Sequence, residues 1–128
     1  MFGLKKKRDN RGHPRWMIDR FLAVYDQDKT VFLGRVEDLS EGGMCILSNE
    51  IPPSDRHLRL ALEVLGSDGA AETFQLRCRL LWVKPEANGE LFRIGFEFSG
   101  NSPAATAAIA KLIEGQRLTG LPPRPKPG

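Results

Sequence analysis

The chain has 128 residues, 41% hydrophobic and 27% charged, with a formal net charge of +3. That is room for one domain with a real core, not for two. No apolar run approaches membrane-spanning length, and MFGLKKKRDN carries charge with no apolar stretch behind it, so neither a spanning helix nor a signal peptide is expected.

The distribution of charge says more than its total. Through Arg20 the chain holds seven Lys/Arg and two Asp, a balance of +5, which leaves −2 for the remainder. The basic character belongs to an N-terminal arm, and a basic arm on a near-neutral body suits an anionic partner. Lys5, Lys6 and Lys7 fit a solvated tail, whereas Arg11 and Arg15 carry planar forks that match phosphate and guanine. Residues 1–14 read as flexible, being polar, basic and broken by Gly12 and Pro14. Cys45 and Cys78 lie far apart, in no metal-ligand spacing and each inside a predicted strand. They read as small buried hydrophobes, and the cytoplasm is the expected location.

Residues 15–118 read as one folded body. A first strand is expected over Arg20–Asp26, with Asp26-Gln27-Asp28-Lys29 as the turn, a second over Thr30–Leu39 and a third over Gly43–Ser48. After a Pro52-Pro53 loop, His57–Leu65 alternates Leu58, Leu60, Leu62 and Val64 with Arg59, Ala61 and Glu63, the period of a half-buried strand. The fifth strand, Glu72–Val83, puts Phe74, Leu76, Cys78, Leu80 and Trp82 on one face and Gln75, Arg77 and Arg79 on the other. Asn88-Gly89 signals a hairpin tip before the sixth strand, Glu90–Phe98, whose apolar face is Phe92, Ile94, Phe96 and Phe98.

Six short strands joined by turns predict an all-β fold, a six-stranded antiparallel barrel. The period then changes. Ser102-Pro103 is an N-cap with proline at the first helical position. Ala105, Ala108, Ile109, Leu112 and Ile113 follow at helical spacing, so a helix over about 103–117 should lay its stripe on a barrel opening. Residues 119–128, TGLPPRPKPG, read as a disordered, Pro-rich tail.

The stretch that carries function is Asp38-Leu39-Ser40-Glu41-Gly42-Gly43, between two apolar runs. Asp38 and Ser40, two apart on an extended chain, should project to one side, beside glycines that let something approach the backbone. The competing reading is that both only hydrogen-bond their own turn. The second pattern is R-x-x-x-R, at Arg11 and Arg15.

Together and in this order, R-x-x-x-R and D-x-S-x-x-G (Asp38, Ser40, Gly43) resemble the signature of the PilZ domain. The last two strands, Leu81-Trp82-Val83 and then Phe92 to Phe98, look like the family's own, so the resemblance covers about residues 8–118. It implies a six-stranded barrel that binds the bacterial second messenger cyclic di-GMP through Arg11, Arg15, Asp38, Ser40 and Gly43. Arg8, Gly42 and Trp82 are the further candidates. Many members carry an arginine immediately before R-x-x-x-R. Here that position is Asn10 and the extra arginine is Arg8, which leaves open whether one ligand or a stacked pair binds.

The chemistry agrees with the resemblance. Arginine forks onto phosphate oxygens or guanine O6 and N7, and a carboxylate at Asp38 can accept guanine N1–H and N2–H. Trp82 shares its expected face with core residues, so it reads equally as barrel mouth or as stacking platform. No nucleophile elbow, H-x-x-x-H or C-x-x-C occurs, and His13 and His57 stand alone, so catalysis, a metal and a cofactor are not expected. Two other readings compete. One is a PilZ-like adaptor that binds a protein without nucleotide; the downstream partner is not legible. The other is a small-barrel single-strand nucleic-acid binder, against which stand the near-neutral barrel and aromatics that follow the core face.

Overall fold

A computed structural model of the chain describes residues 14–18, 20–28, 31–52, 57–65, 68–87, 89–118 and 123–124. The elements are β1 (Arg15–Met17), β2 (Ala23–Asp26), β3 (Phe32–Leu39), β4 (Gly43–Ser48), β5 (His57–Leu65), β6 (Ala71–Pro85), β7 (Phe92–Phe98), α1 (Pro103–Leu118) and β8 (Pro123–Arg124). The strands hydrogen-bond in the order β2-β5-β6-β7-β4-β3, and an added β2–β3 pairing closes the ring. The expected six-stranded antiparallel barrel is therefore present, and closure leaves its central strands paired on both sides. β6 can serve both neighbours because it is long: its first half pairs with β5 and its second with β7.

Alternation fills the interior. Val24, Val36, Ile46, Leu62, Leu76, Ile94 and Phe96 are essentially sealed from solvent, and each such side chain contributes about 2 kcal/mol by leaving water. The Ser102 hydroxyl accepts from Ala105 N at 3.1 Å, as its capping position predicts. Ala105, Ile109 and Ile113 join the barrel core, and α1 touches β1 and β6.

Three places depart from simple alternation. Leu33, Glu37 and Leu81 have no cross-strand partner in an otherwise continuous ladder, each marking a β-bulge. A bulge adds one residue and reverses which face the following residues present. The expectation that Trp82 shares the core face is corrected by the bulge at Leu81. Leu80 pairs with the buried Phe96, but Trp82 pairs with Gly95, between core residues Ile94 and Phe96 and so directed outward.

The chain also folds further outward than expected. Arg15–Met17 pairs with the end of β3, Trp16 opposite Leu39 and Met17 opposite Asp38. Within the tail expected to be disordered, Pro123–Arg124 pairs with β1. The arm over 1–13 and the tail at 119–122 and 125–128 lie outside the described residues.

Candidate functional site

The bulge at Glu37 decides what Asp38 does. Without it, alternation from the buried Val36 would turn Asp38 into the apolar interior. With it, Asp38 falls opposite Cys45 and Met17 on the outer face. The carboxylate is only 2% exposed and takes Arg15 Nη1 at 2.9 Å. Arg15 itself keeps 26% of its side chain exposed, so it reaches from the solvent rim inward. A buried carboxylate needs such a partner, because desolvating a lone charge costs several kcal/mol by order of magnitude. The fold thus joins one member of each sequence motif. Arg8 and Arg11 lie outside the described residues.

Ser40 does not share that outward role. Its hydroxyl donates to Gly43 O at 3.3 Å and accepts from Gly42 N at 3.2 Å and Gly43 N at 3.1 Å, while Ser40 N reaches Gly43 O at 2.9 Å. The residue is fully buried. The expectation that it projects beside Asp38 gives way to the turn-holding reading: Ser40 fixes the β3–β4 connection by satisfying its amides.

Gly43 is required for space. A Cβ there would lie 2.2 Å from Phe96 O, so β7 passes where any other side chain would stand. Its φ is not in the positive region. Gly42 O accepts from Phe98 N at 2.9 Å, tying the turn to the end of β7.

Register aligns Asp38, Cys45, Gly95 and Trp82 across β3, β4, β7 and β6. Gly95 was not singled out from the sequence, although a glycine inside an alternating apolar strand signals close approach. An added Cβ would fall 2.3 Å from the Trp82 ring, so the indole lies flat over the Gly95 backbone. Lys84 Nζ sits 5.4 Å from the Trp82 ring centroid, within cation–π range. Adjacent strands are about 4.8 Å apart, so Asp38 and the indole over Gly95 stand roughly 10 Å apart on one face. Beside this row, Arg93 Nε lies 3.2 Å from Glu37 Oε1 and 3.1 Å from Glu86 Oε2. These are charge contacts, since neither Arg93 Nε nor Glu37 Oε1 makes a hydrogen bond among the described residues, and nothing local in the sequence marks them.

Burial pushes the Cys78 thiol up to about 12, which keeps it neutral and unreactive. Among the described residues no cluster of His, Cys, Asp and Glu could hold a metal ion, and no helix is long and apolar enough to cross a membrane.

A family profile described as PilZ domain matches residues 9–115. No curated protein matches the chain. Among solved structures, the PilZ domain of YcgR from Escherichia coli with c-di-GMP is 21% identical with a TM-score of 0.60, covering 87% of this chain and 94% of that one. The Bacillus subtilis inhibitor of motility MotI/DgrA is 16% identical with a TM-score of 0.67, covering 90% and 55%. The K. pneumonia MrkH–c-di-GMP complex is 17% identical with a TM-score of 0.67, covering 89% and 54%. The chain spans about half the length of MotI and MrkH. At such identities these likenesses show the fold. The profile match runs over most of the chain, which belongs to the PilZ domain family.

Proposed function

We propose that the chain is a cyclic di-GMP receptor, without catalysis of its own, that signals by rearranging its N-terminal arm to alter a protein interaction. The observation that carries this is the Arg15–Asp38 pair on an outer face floored by Gly95. Family membership supports it, as do the YcgR and MrkH structures, both of which hold c-di-GMP.

The chemistry runs as an exchange of partners. Guanine N1–H and N2–H donate to the Asp38 carboxylate, taking over from the Arg15 guanidinium. Arg15, released but still anchored through β1, turns its fork onto a phosphate. Arg11, with Arg8 as a further candidate, adds guanidinium groups from the arm. Gly42 and Gly43 keep the turn low, and Ser40 acts by holding that turn. Trp82 supplies an apolar wall one strand beyond Cys45. Because β1 is paired already, ordering by ligand falls on the residues before it, and the ordered arm presents the surface that a partner reads. The protein acts in the cytoplasm, and nucleic acid is not the ligand.

Titration calorimetry with cyclic di-GMP, with GTP and GMP as controls, tests the reading. Saturable binding of cyclic di-GMP alone is expected. Absence of heat at any concentration of cyclic di-GMP, or equal binding of GMP, overturns it.

A further inference from the structure

On the far side of the barrel, β6 runs past its neighbour. Its last β7 partner is Cys78, opposite Phe98, whereas its pairing with β5 continues to Ala71. Beyond Phe98 the chain leaves the sheet. Ser99 N still reaches Arg77 O at 3.0 Å. The Asn101 side chain then takes Arg77 N at 2.7 Å and donates to Arg77 O at 3.1 Å, imitating one residue of a strand. These contacts show that the Arg77 backbone groups face away from β5. With a two-residue period and no bulge between β5 and β6 here, the N–H and C=O of Gln75 face the same way. Among the described residues no strand pairs with Gln75 on that side.

A groove of about 480 Å³ crosses the outer face at this point, lined by Gln75, Arg77, Asn101 and Ser102 and, on the β5 side of β6, by Arg59, with Asp28 also in its lining. Arg59 and Arg77 are directly opposed on β5 and β6. Like charges so placed destabilise a sheet, and neither has an ion-pair partner among the described residues. His57 and Arg79 are the next opposed pair, with Glu97 beyond Arg79. On the other face of β6, Phe74 is half-buried.

We propose that this open edge is a docking lane for an extended acidic segment of a partner protein, which joins the sheet as a strand beside Gln75. Asn101 closes the lane at Arg77, so Gln75 is its first open position. Backbone pairing supplies attachment and the alternate side chains supply specificity. The segment carries acidic residues on the side facing Arg59 and Arg77, alternating with apolar residues toward Phe74. Its carboxylates neutralise the opposed arginines, and Asp28 disfavours acid at the far end. The lane does not depend on the nucleotide reading.

The test uses the full chain, ¹⁵N-labelled and without nucleotide. In the free protein the Gln75 amide should exchange with solvent at least tenfold faster than that of Arg77. Adding a capped peptide of alternating Glu and Val should shift resonances of Gln75, Arg77 and Asn101 and slow Gln75 exchange. A peptide with Lys for Glu should not. Arg59→Glu with Arg77→Glu should weaken peptide binding at least tenfold, and Gln75→Pro, which removes the open N–H, should abolish it. Protection of Gln75 in the free protein, or no shifts at millimolar peptide, overturns the proposal. So does a single-stranded oligothymidine that binds through the arginines equally in parent and Gln75→Pro, since the face is then a plain anion surface. Should Gln75→Pro fail to fold, the parent's exchange rates and the arginine variant decide.

Discussion

Two outer faces of one barrel handle charge in opposite ways. Around Asp38 the groups are closed on one another: carboxylate with Arg15, Ser40 with its own turn, Arg93 with Glu37 and Glu86. Along the first half of β6, Arg59 and Arg77 oppose each other with no carboxylate paired to either among the described residues. The first face is built before anything binds, so a ligand there must replace bonds already made and match their geometry. The second is left incomplete, and anything extended and negative improves it. Preorganisation suits a small polar ligand, while an open edge suits a segment that brings its own backbone.

The largest expected effect would break the first face by steric force. Gly43→Val places atoms against the Phe96 carbonyl, backbone that cannot rotate away, and should destabilise the fold by about 3 kcal/mol. Chemical denaturation measures this, and an unchanged midpoint would mean that β4 and β7 stand further apart. Gly95→Ala, which meets an indole able to move, should cost less stability and shift tryptophan fluorescence. Asp38→Ala should weaken cyclic di-GMP binding by about 2 kcal/mol and reduce preference for guanine over adenine, whose N1 is an acceptor. Calorimetry with both cyclic dinucleotides separates the two effects.

Arg15→Ala should lower affinity similarly. It should also cost about 1 kcal/mol of stability, because the carboxylate it serves is almost fully buried; an arm lying outside the folded body would predict no change. The smallest effect has the opposite sign and sharpens the contrast. Arg59→Gln relieves the opposed pair and should stabilise the free protein by about 0.5 kcal/mol. A loss instead would show that the β6 face is closed by groups of its own.

Much of this was legible in the sequence. Alternation in His57–Leu65 and Phe92–Phe98 located strands to within a residue or two, and Ser102-Pro103 located the helix start. The hairpin expected at Asn88-Gly89 is present at Gly89, which stands at φ +76° between β6 and β7; Asn88 lies outside the described residues. What escaped is what depends on pairing between distant residues. A bulge is a mismatch in length between two strands, so no window along one strand contains it, and the outward turn of Trp82 was hidden for that reason. The need for Gly43 was legible as room for something to approach the backbone, but what approaches was not: it is the neighbouring strand β7. The Asn101 contact with Arg77 joins residues 24 apart through a side chain, which no local pattern announces.

The odd residue at Glu37 has a consequence for how the gene can change. Substitutions in β3 alter one contact at a time. Deletion of the Glu37 codon would instead restore even spacing along the strand and leave Asp38, now directly after the inward Val36, on the outer face. Every motif residue would survive by name, and R-x-x-x-R and D-x-S-x-x-G would still be readable in the translated sequence. What the protein would lose is the Glu37 carboxylate that meets Arg93 beside the site, a contact the motif does not record.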